Sequence, residues 1–298
     1  MKKCFWLVSY PKSGNTWLRL IIGALFFTND GKINNFEVLE KIPKFDILNN
    51  FEFVKNISIK DYNTIFLKQI YDERMFLTYF KYINEAQKII DLKGSTFGFF
   101  KTHNARVKIN DVFYTNEETS LGFIYLYRDP RDIIISYSKY LGQNFDETIN
   151  FIINGQLRNP KKIGRLPEVI LNWGDHYKSW KKFNNVPSLF IKYENILENP
   201  TKEIDKIIYF FEKNYKLKIK NRDIKIKNIL ETTNFNNLKI IEQNGSFNEN
   251  SENNSSLFFR KGSSGQWHKY LTKEQINLIY NKFQIEMREL EYLFLDNK

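Results

Sequence analysis

One cysteine, Cys4, stands in a chain of 298 residues, so no internal disulfide framework is available and a reducing cytoplasm is the expected setting. Histidine is almost as scarce, with only His103, His176 and His268. No His/Cys cluster and no paired-carboxylate motif has metal-ligand spacing, so no metal is expected. Long apolar runs are also missing. Residues 20–27 form one of the longest, far short of the ~20 residues that cross a bilayer. Residues 1–8 begin like a secretion signal, but the apolar stretch stops at Ser9-Tyr10-Pro11-Lys12. That is short of the roughly 7–15 residues of a signal's apolar region, and no small-residue cleavage site follows. The segment reads instead as an edge of the fold.

Positive charge and apolar residues are what the chain has in quantity. Forty-five Lys and Arg against 34 Asp and Glu give a net charge of +11, and 42% of the residues are hydrophobic. This is enough for a large buried core. The charge suits nucleic acid, an anionic membrane surface or a phosphate-rich small molecule; lysines scattered over solvated faces explain much of it equally well.

Apolar patterning alternates between strand and helix, as in an α/β fold with a mainly parallel sheet. Strands are expected at 5–9, 97–101, 122–127 and 188–192. Helices are expected at 16–27, 130–140, 166–183, 200–211 and 273–292, with Asn199-Pro200 as a cap and first-turn pair. Residues 244–256 are rich in Asn and Ser and cannot bury apolar area, so a mobile loop is expected there. No repeat or linker is evident, and one domain is expected.

Three segments carry anion-binding chemistry. Tyr10-Pro11-Lys12-Ser13-Gly14-Asn15-Thr16-Trp17 joins a strand to a helix start, where exposed N–H groups and the helix dipole favour an anion. Lys12 adds a full charge, and Ser13 and Thr16 add hydroxyls; an ordinary strand-to-helix turn has the same outline. Tyr127-Arg128-Asp129-Pro130-Arg131-Asp132 follows a strand, whose C-terminal end is where open α/β sheets bind ligands. The guanidinium of Arg128 matches a pair of phosphate oxygens, and Ser136 lies two turns along the next helix. Arg131, Asp129 and Asp132 read equally as a surface ion-pair cluster, which is favoured for Arg131. Arg260-Lys261-Gly262-Ser263-Ser264-Gly265-Gln266-Trp267 places two cations before glycines that let backbone approach an anion. Between the first two segments, Lys101-Thr102-His103 ends a strand; an imidazole with pKa near 6.5 suits general-base work, though a lone histidine is more often structural.

In this order the segments resemble the sulfotransferases that use 3′-phosphoadenosine-5′-phosphosulfate (PAPS). The resemblance covers residues 5 to about 272 and looks most like bacterial members. It implies a P-loop-like three-layer α/β domain over residues 1–298, with a central parallel sheet flanked by helices. A mobile loop at about 244–259 would precede a C-terminal lid motif. The implied donor ligands are Lys12, Ser13, Gly14, Asn15 and Thr16 at the 5′-phosphosulfate and Trp17 against adenine. Arg128 and Ser136 are implied at the 3′-phosphate, with Arg260, Lys261 and Gly262 closing over it. Tyr193, Thr233 and Phe235 complete the implied nucleotide contacts. His103 is the implied general base, with Lys12 and Lys101 stabilising charge on the leaving oxygen. The Trp173-x-x-His176-x-x-x-Trp180 helix also matches, with packing as its simplest role, and His268 is expected at the surface.

There are departures. Gln266 replaces the usual Asp, and Asn104-Ala105 replace a Leu-Pro pair. His268, Thr272, Lys273 and Asn277 occupy the positions of a dimerisation motif that they do not match, so the oligomeric state stays open. The acceptor is expected to be a small molecule or carbohydrate-like, presenting a hydroxyl or amine, with no nucleic acid partner. Aromatic residues 51, 53, 66, 79, 80, 140 and 145 either line its pocket or form core. The rival readings are a P-loop kinase or NTPase with Asp129 as a metal ligand, and a non-catalytic polyanion binder.

Overall fold

The structure is a computed structural model that describes residues 3–66, 72–160, 164–245, 247, 258–259 and 262–293. The elements that position the site are, in chain order, β1 (Lys3–Ser9), α1 (Asn15–Phe27), β2 (Phe97–Thr102), β3 (Ser120–Tyr127), α2 (Pro130–Leu141), β4 (Gln156–Arg158), β5 (Glu168–Ile170), α3 (Trp173–Lys181), β6 (Ser188–Lys192), α4 (Pro200–Tyr215), α5 (Arg222–Thr232), α6 (Phe235–Asn244) and α7 (Lys273–Glu289). Four strands form the central parallel sheet in the order β2-β1-β3-β6, flanked by helices. Among the described residues no helix is long and apolar enough to cross a membrane.

The N-terminal segment is not an edge. Cys4 through Val8 have no solvent exposure, and β1 lies between β2 and β3. A strand covered on both faces reads as a continuous apolar run and belongs inside a parallel sheet. Its register with β2 runs from Lys3 opposite Phe97 to Val8 opposite Thr102.

The single helix expected at 166–183 divides into β5 and α3. Pro167 disfavours helix at the residue before it, and Val169 and Ile170 suit a strand paired with β4. Asn172 then caps α3, its side chain accepting the Asp175 N–H at 2.8 Å. The other expected elements stand within a few residues of their places; α4 extends to Tyr215.

The chain gathers into two compact units. The first comprises residues 1–10, 43–125 and 155–188; the second comprises residues 11–42, 126–154 and 189–298. The first unit packs around Trp6, whose ring meets Phe45 at 5.3 Å and Tyr114 at 5.5 Å while Nε1 donates to Ser120 Oγ. Phe51, Tyr79 and Phe80 are buried in the same core, whereas Phe53 and Phe66 are half-buried. The second unit packs α1 against α4 and α5, with Phe26 and Phe211 rings 4.7 Å apart. Buried Arg19 donates to the carbonyls of Leu39 and Ile42 and ties residues 37–42 to α1.

Candidate active site

The segment 10–17 forms the turn its composition suggests. Gly14 precedes α1 with φ +100°, a left-handed conformation natural only to glycine. A Cβ there would stand 2.7 Å from the Tyr193 ring, so the backbone and that ring require each other. Lys12 is also left-handed, at φ +66°, a conformation that costs a non-glycine residue about 1–2 kcal/mol. Strain of this kind concentrates where a side chain must be aimed. The Lys12 ammonium lies over the rings of Tyr140 and Phe258, at 4.5 and 4.4 Å. Asn15, Thr16 and Trp17 open the helix and are buried.

Arg128 follows β3 in the same unit. Its Nη1 donates to the Lys12 carbonyl at 3.2 Å and its Nη2 to the Ser263 carbonyl at 3.1 Å, while its plane lies 4.4 Å from the Tyr193 ring. The first and third candidate anion-binding segments thus meet at one arginine. Ser136, half-buried on α2, has the placement expected from its spacing. Arg260 and Lys261 lie outside the described residues, as does most of the expected loop at 244–259.

Two buried polar atoms, Ser13 Oγ and Arg128 Nε, have no hydrogen-bond partner among the described residues. An unsatisfied buried polar group costs ~1–3 kcal/mol, so such atoms fit a site completed by an anionic ligand.

The aromatic contacts expected for adenine also come together. The Trp17 ring stands 5.8 Å from Tyr193 and 5.2 Å from Phe235, and its Nε1 donates to the Thr233 carbonyl at 2.9 Å. Gly262 lies so close to Phe235 that a Cβ would stand 2.2 Å from that ring.

The cluster at the start of α2 is not at the surface, and the expectation for Arg131 is corrected. Arg131, Asp129 and Asp132 are 8%, 6% and 2% exposed. Arg131 forks onto Asp129 through Nε and Nη2 and stacks over Trp267 at 3.7 Å. Asp132 accepts the N–H groups of Gly265 at 2.6 Å and Trp267 at 3.1 Å. The carboxylates are buried because they hold backbone and guanidinium donors. Asp129, the metal ligand of the kinase reading, is committed to Arg131 and to the cap of α2.

His103 belongs to the first unit, at the end of β2, and is 9% exposed. Its Nδ1 stands 2.7 Å from the Ser9 carbonyl. A carbonyl oxygen only accepts, so Nδ1 carries the proton and Nε2 keeps its lone pair. Burial, reinforced by Lys101 and opposed by Glu168, holds the His103 pKa well below its ordinary value. The ring is therefore neutral at pH 7.

Near it lies a buried charge group that sequence reading did not single out. Glu168, 2% exposed, pairs with Lys44 at 3.0 Å and with Arg158. Burial alone would raise the Glu168 pKa, but Arg158 and Lys44 hold it well below the usual carboxylate range. Asp46, hydrogen-bonded to Tyr114 and Thr102, is pushed up to about 7 by burial, against the pull of Lys44. These residues come from separated strands and loops, so no local pattern signals them. His268 is exposed, as expected.

The sulfotransferase domain model matches residues 2–291. The chain therefore belongs to the sulfotransferase family, whose members are PAPS-dependent enzymes. It is 25% identical to an amine sulfotransferase of the rabbit Oryctolagus cuniculus over 300 residues, covering 97% of this chain and 82% of the relative. It is likewise 25% identical to a flavonol 3-sulfotransferase of Flaveria bidentis over 288 residues, covering 92% and 78%. Among solved structures it is similar to mouse sulfotransferase SULT7A1 complexed with PAP, at 19% identity and TM-score 0.57, covering 99% of this chain and 90% of that one. It is also similar to retinol dehydratase in a complex with retinol and PAP, at 20% identity and TM-score 0.60, covering 99% and 84%. These likenesses carry the fold.

Proposed function

We propose that the protein transfers the sulfonate of PAPS to a hydroxyl or amine of a small-molecule or carbohydrate-like acceptor, with His103 as general base. The observation that carries this reading is the tautomer of His103: Nδ1–H donates to the Ser9 carbonyl, which leaves the lone pair on Nε2 of the neutral ring. That nitrogen takes the acceptor proton as the nucleophile attacks sulfur in line.

The donor supplies an electrophilic sulfur and a good leaving group; this chain's residues bind and orient it. Lys12 and the N–H groups of residues 13–16, with the hydroxyls of Ser13 and Thr16, hold the 5′-phosphosulfate. Arg128 and Ser136 hold the 3′-phosphate, with Arg260, Lys261 and Gly262 over it. Trp17, Tyr193, Thr233 and Phe235 hold the adenine. Lys12 and Lys101 stabilise charge on the departing oxygen. Ser13 Oγ and Arg128 Nε, buried without a hydrogen-bond partner among the described residues, support this assignment. The two solved relatives named above were crystallised with PAP, which adds support of the same kind.

Calorimetric titration with adenosine 3′,5′-bisphosphate (PAP), beside 5′-AMP and ATP with magnesium, tests the donor site. Tight binding of the bisphosphate alone is expected; equal binding of all three would sink the assignment. A screen of phenols, amines and sugars with PAPS then identifies the acceptor class.

A further inference from the structure

Helix α3 carries the Trp173-x-x-His176-x-x-x-Trp180 spacing that reads as packing, and Trp173 and Trp180 are indeed buried. The same helix also offers polar groups to one short stretch of backbone. His176 Nε2 lies 3.0 Å from the His103 carbonyl, and Trp180 Nε1 donates to the Asn104 carbonyl at 2.9 Å. Ser179 Oγ accepts the Arg106 N–H at 3.0 Å. Positions 176, 179 and 180 share one helix face, being three and four residues apart. From β5, the Val169 carbonyl accepts the Ala105 N–H at 2.9 Å, and the Val169 N–H donates to Asn104 Oδ1 at 2.7 Å. Residues 103–106 are thus gripped from a helix and from a strand just where the chain leaves β2.

Hydrogen-bond chemistry settles how His176 takes part. The His103 carbonyl can only accept, so His176 Nε2 bears the proton. Nδ1 of the neutral ring must then accept, and the Tyr125 hydroxyl, 2.8 Å away, donates to it. Burial lowers the His176 pKa to about 4, so the neutral ring persists at pH 7. The ring is fully buried, with the Tyr10 ring edge-on at 5.4 Å.

We infer that His176 is a positioning residue: through Nε2–H it fixes the carbonyl of His103 and so the direction in which the His103 ring leaves the chain. His103 is then tied at both ends, its ring by the Ser9 carbonyl and its backbone by His176. Proton transfer depends on that direction, because a misplacement of about 1 Å at a reacting group can cost on the order of 100-fold. The inference rests on the general-base reading of His103.

With only three histidines, the imidazole nitrogens are resolvable by 15N NMR of histidine-labelled protein, without any acceptor. Wild-type protein should show His103 as a pure Nδ1–H tautomer and His176 as a pure Nε2–H tautomer. His176→Met removes the donor, and the single His103 pattern should be lost to a mixture of tautomers. His176→Gln restores an amide donor and should restore the single pattern. His176→Phe keeps a ring in the same space without a donor, so it decides the matter if His176→Met does not fold. It too should show His103 as a mixture of tautomers. An unchanged His103 pattern in His176→Met or in His176→Phe would overturn the inference and leave α3 a packing helix. PAP affinity, measured alongside, should stay within twofold in all three variants. Turnover of His103→Ala, read separately, tests the base: full activity there would remove the general-base reading while the ring spectra still report the clamp.

Discussion

Around Gly14 and Arg128 in the second unit, the buried atoms Ser13 Oγ and Arg128 Nε stand without partners among the described residues, and two residues hold left-handed backbone. Around His103 in the first unit, polar groups from its own Nδ1 to the Arg106 N–H are taken up by protein. A pocket for a polyanion must keep donors in hand, because the ligand arrives with its own acceptors and leaves again. The proposed general base needs one lone pair in one direction, and the hydrogen bonds to the His103 ring, to its carbonyl and to the Asn104 carbonyl serve that, although Asn104 Nδ2 beside them is buried without a partner among the described residues. Partnerless donors thus mark the proposed donor site, and a histidine held at ring and backbone marks the proposed base.

Substitutions that remove one side of this contrast should leave the other intact. The largest effect is expected for His103→Ala, which should lower turnover by about 100- to 10,000-fold, the range general-base catalysis supplies. Its PAP affinity should be unchanged by calorimetry; a parallel loss of both would erase the division of labour. Arg128→Ala should weaken PAP binding by roughly 10- to 100-fold, as loss of charge-assisted hydrogen bonds worth about 1.5–3 kcal/mol implies, with His103 ring signals unmoved. Gly14→Ala forces a Cβ against Tyr193 at φ +100°, and should cost about 1–3 kcal/mol in a denaturant titration while lowering PAP affinity. Ser136→Ala should be mildest, a few-fold in PAP affinity, as for one neutral hydrogen bond worth about 1 kcal/mol.

The buried charges predict a pH signature of their own. Asp46 has a folded pKa of about 7 against 3.8 for the free group, so the folded state binds more protons across that interval. Its contribution to stability is present at low pH and lost as pH rises through 7. His176 has the opposite sign, with a folded pKa of about 4 against 6.5: the unfolded chain binds more protons, and stability is lost as pH falls below 6.5. Between pH 4 and 6.5 the two slopes oppose each other. Asp46→Asn should leave the histidine slope alone, so its melting temperature should climb with pH more steeply than the wild type's. Equal slopes in the two proteins would mean that Asp46 is ionised throughout.

Much of the proposed donor site is legible in the sequence because its parts are local. Lys12 to Trp17 must turn from strand to helix within a few residues, and Arg128 must end a strand before Pro130. A charged triplet at a helix start looks alike whether solvated or buried, which is why the sequence favours a surface place for Arg131. Only its stacking on Trp267, far away in sequence, decides between them. Residues 1–8 read as an edge of the fold once a secretion signal is excluded, although their unbroken apolar run already fits a strand covered on both faces.

The sequence by itself determined the alternation of strands and helices, the anion-binding turns and the residue types able to hold a doubly charged nucleotide. These follow from backbone preferences and side-chain chemistry acting over a few neighbours. Only the tertiary structure decided which tautomer His103 holds, that His176 grips its carbonyl from 73 residues away, and that Lys44, Asp46, Arg158 and Glu168 share one buried group. Hydrogen bonds and charges act through space, at distances the fold sets and the order of residues does not.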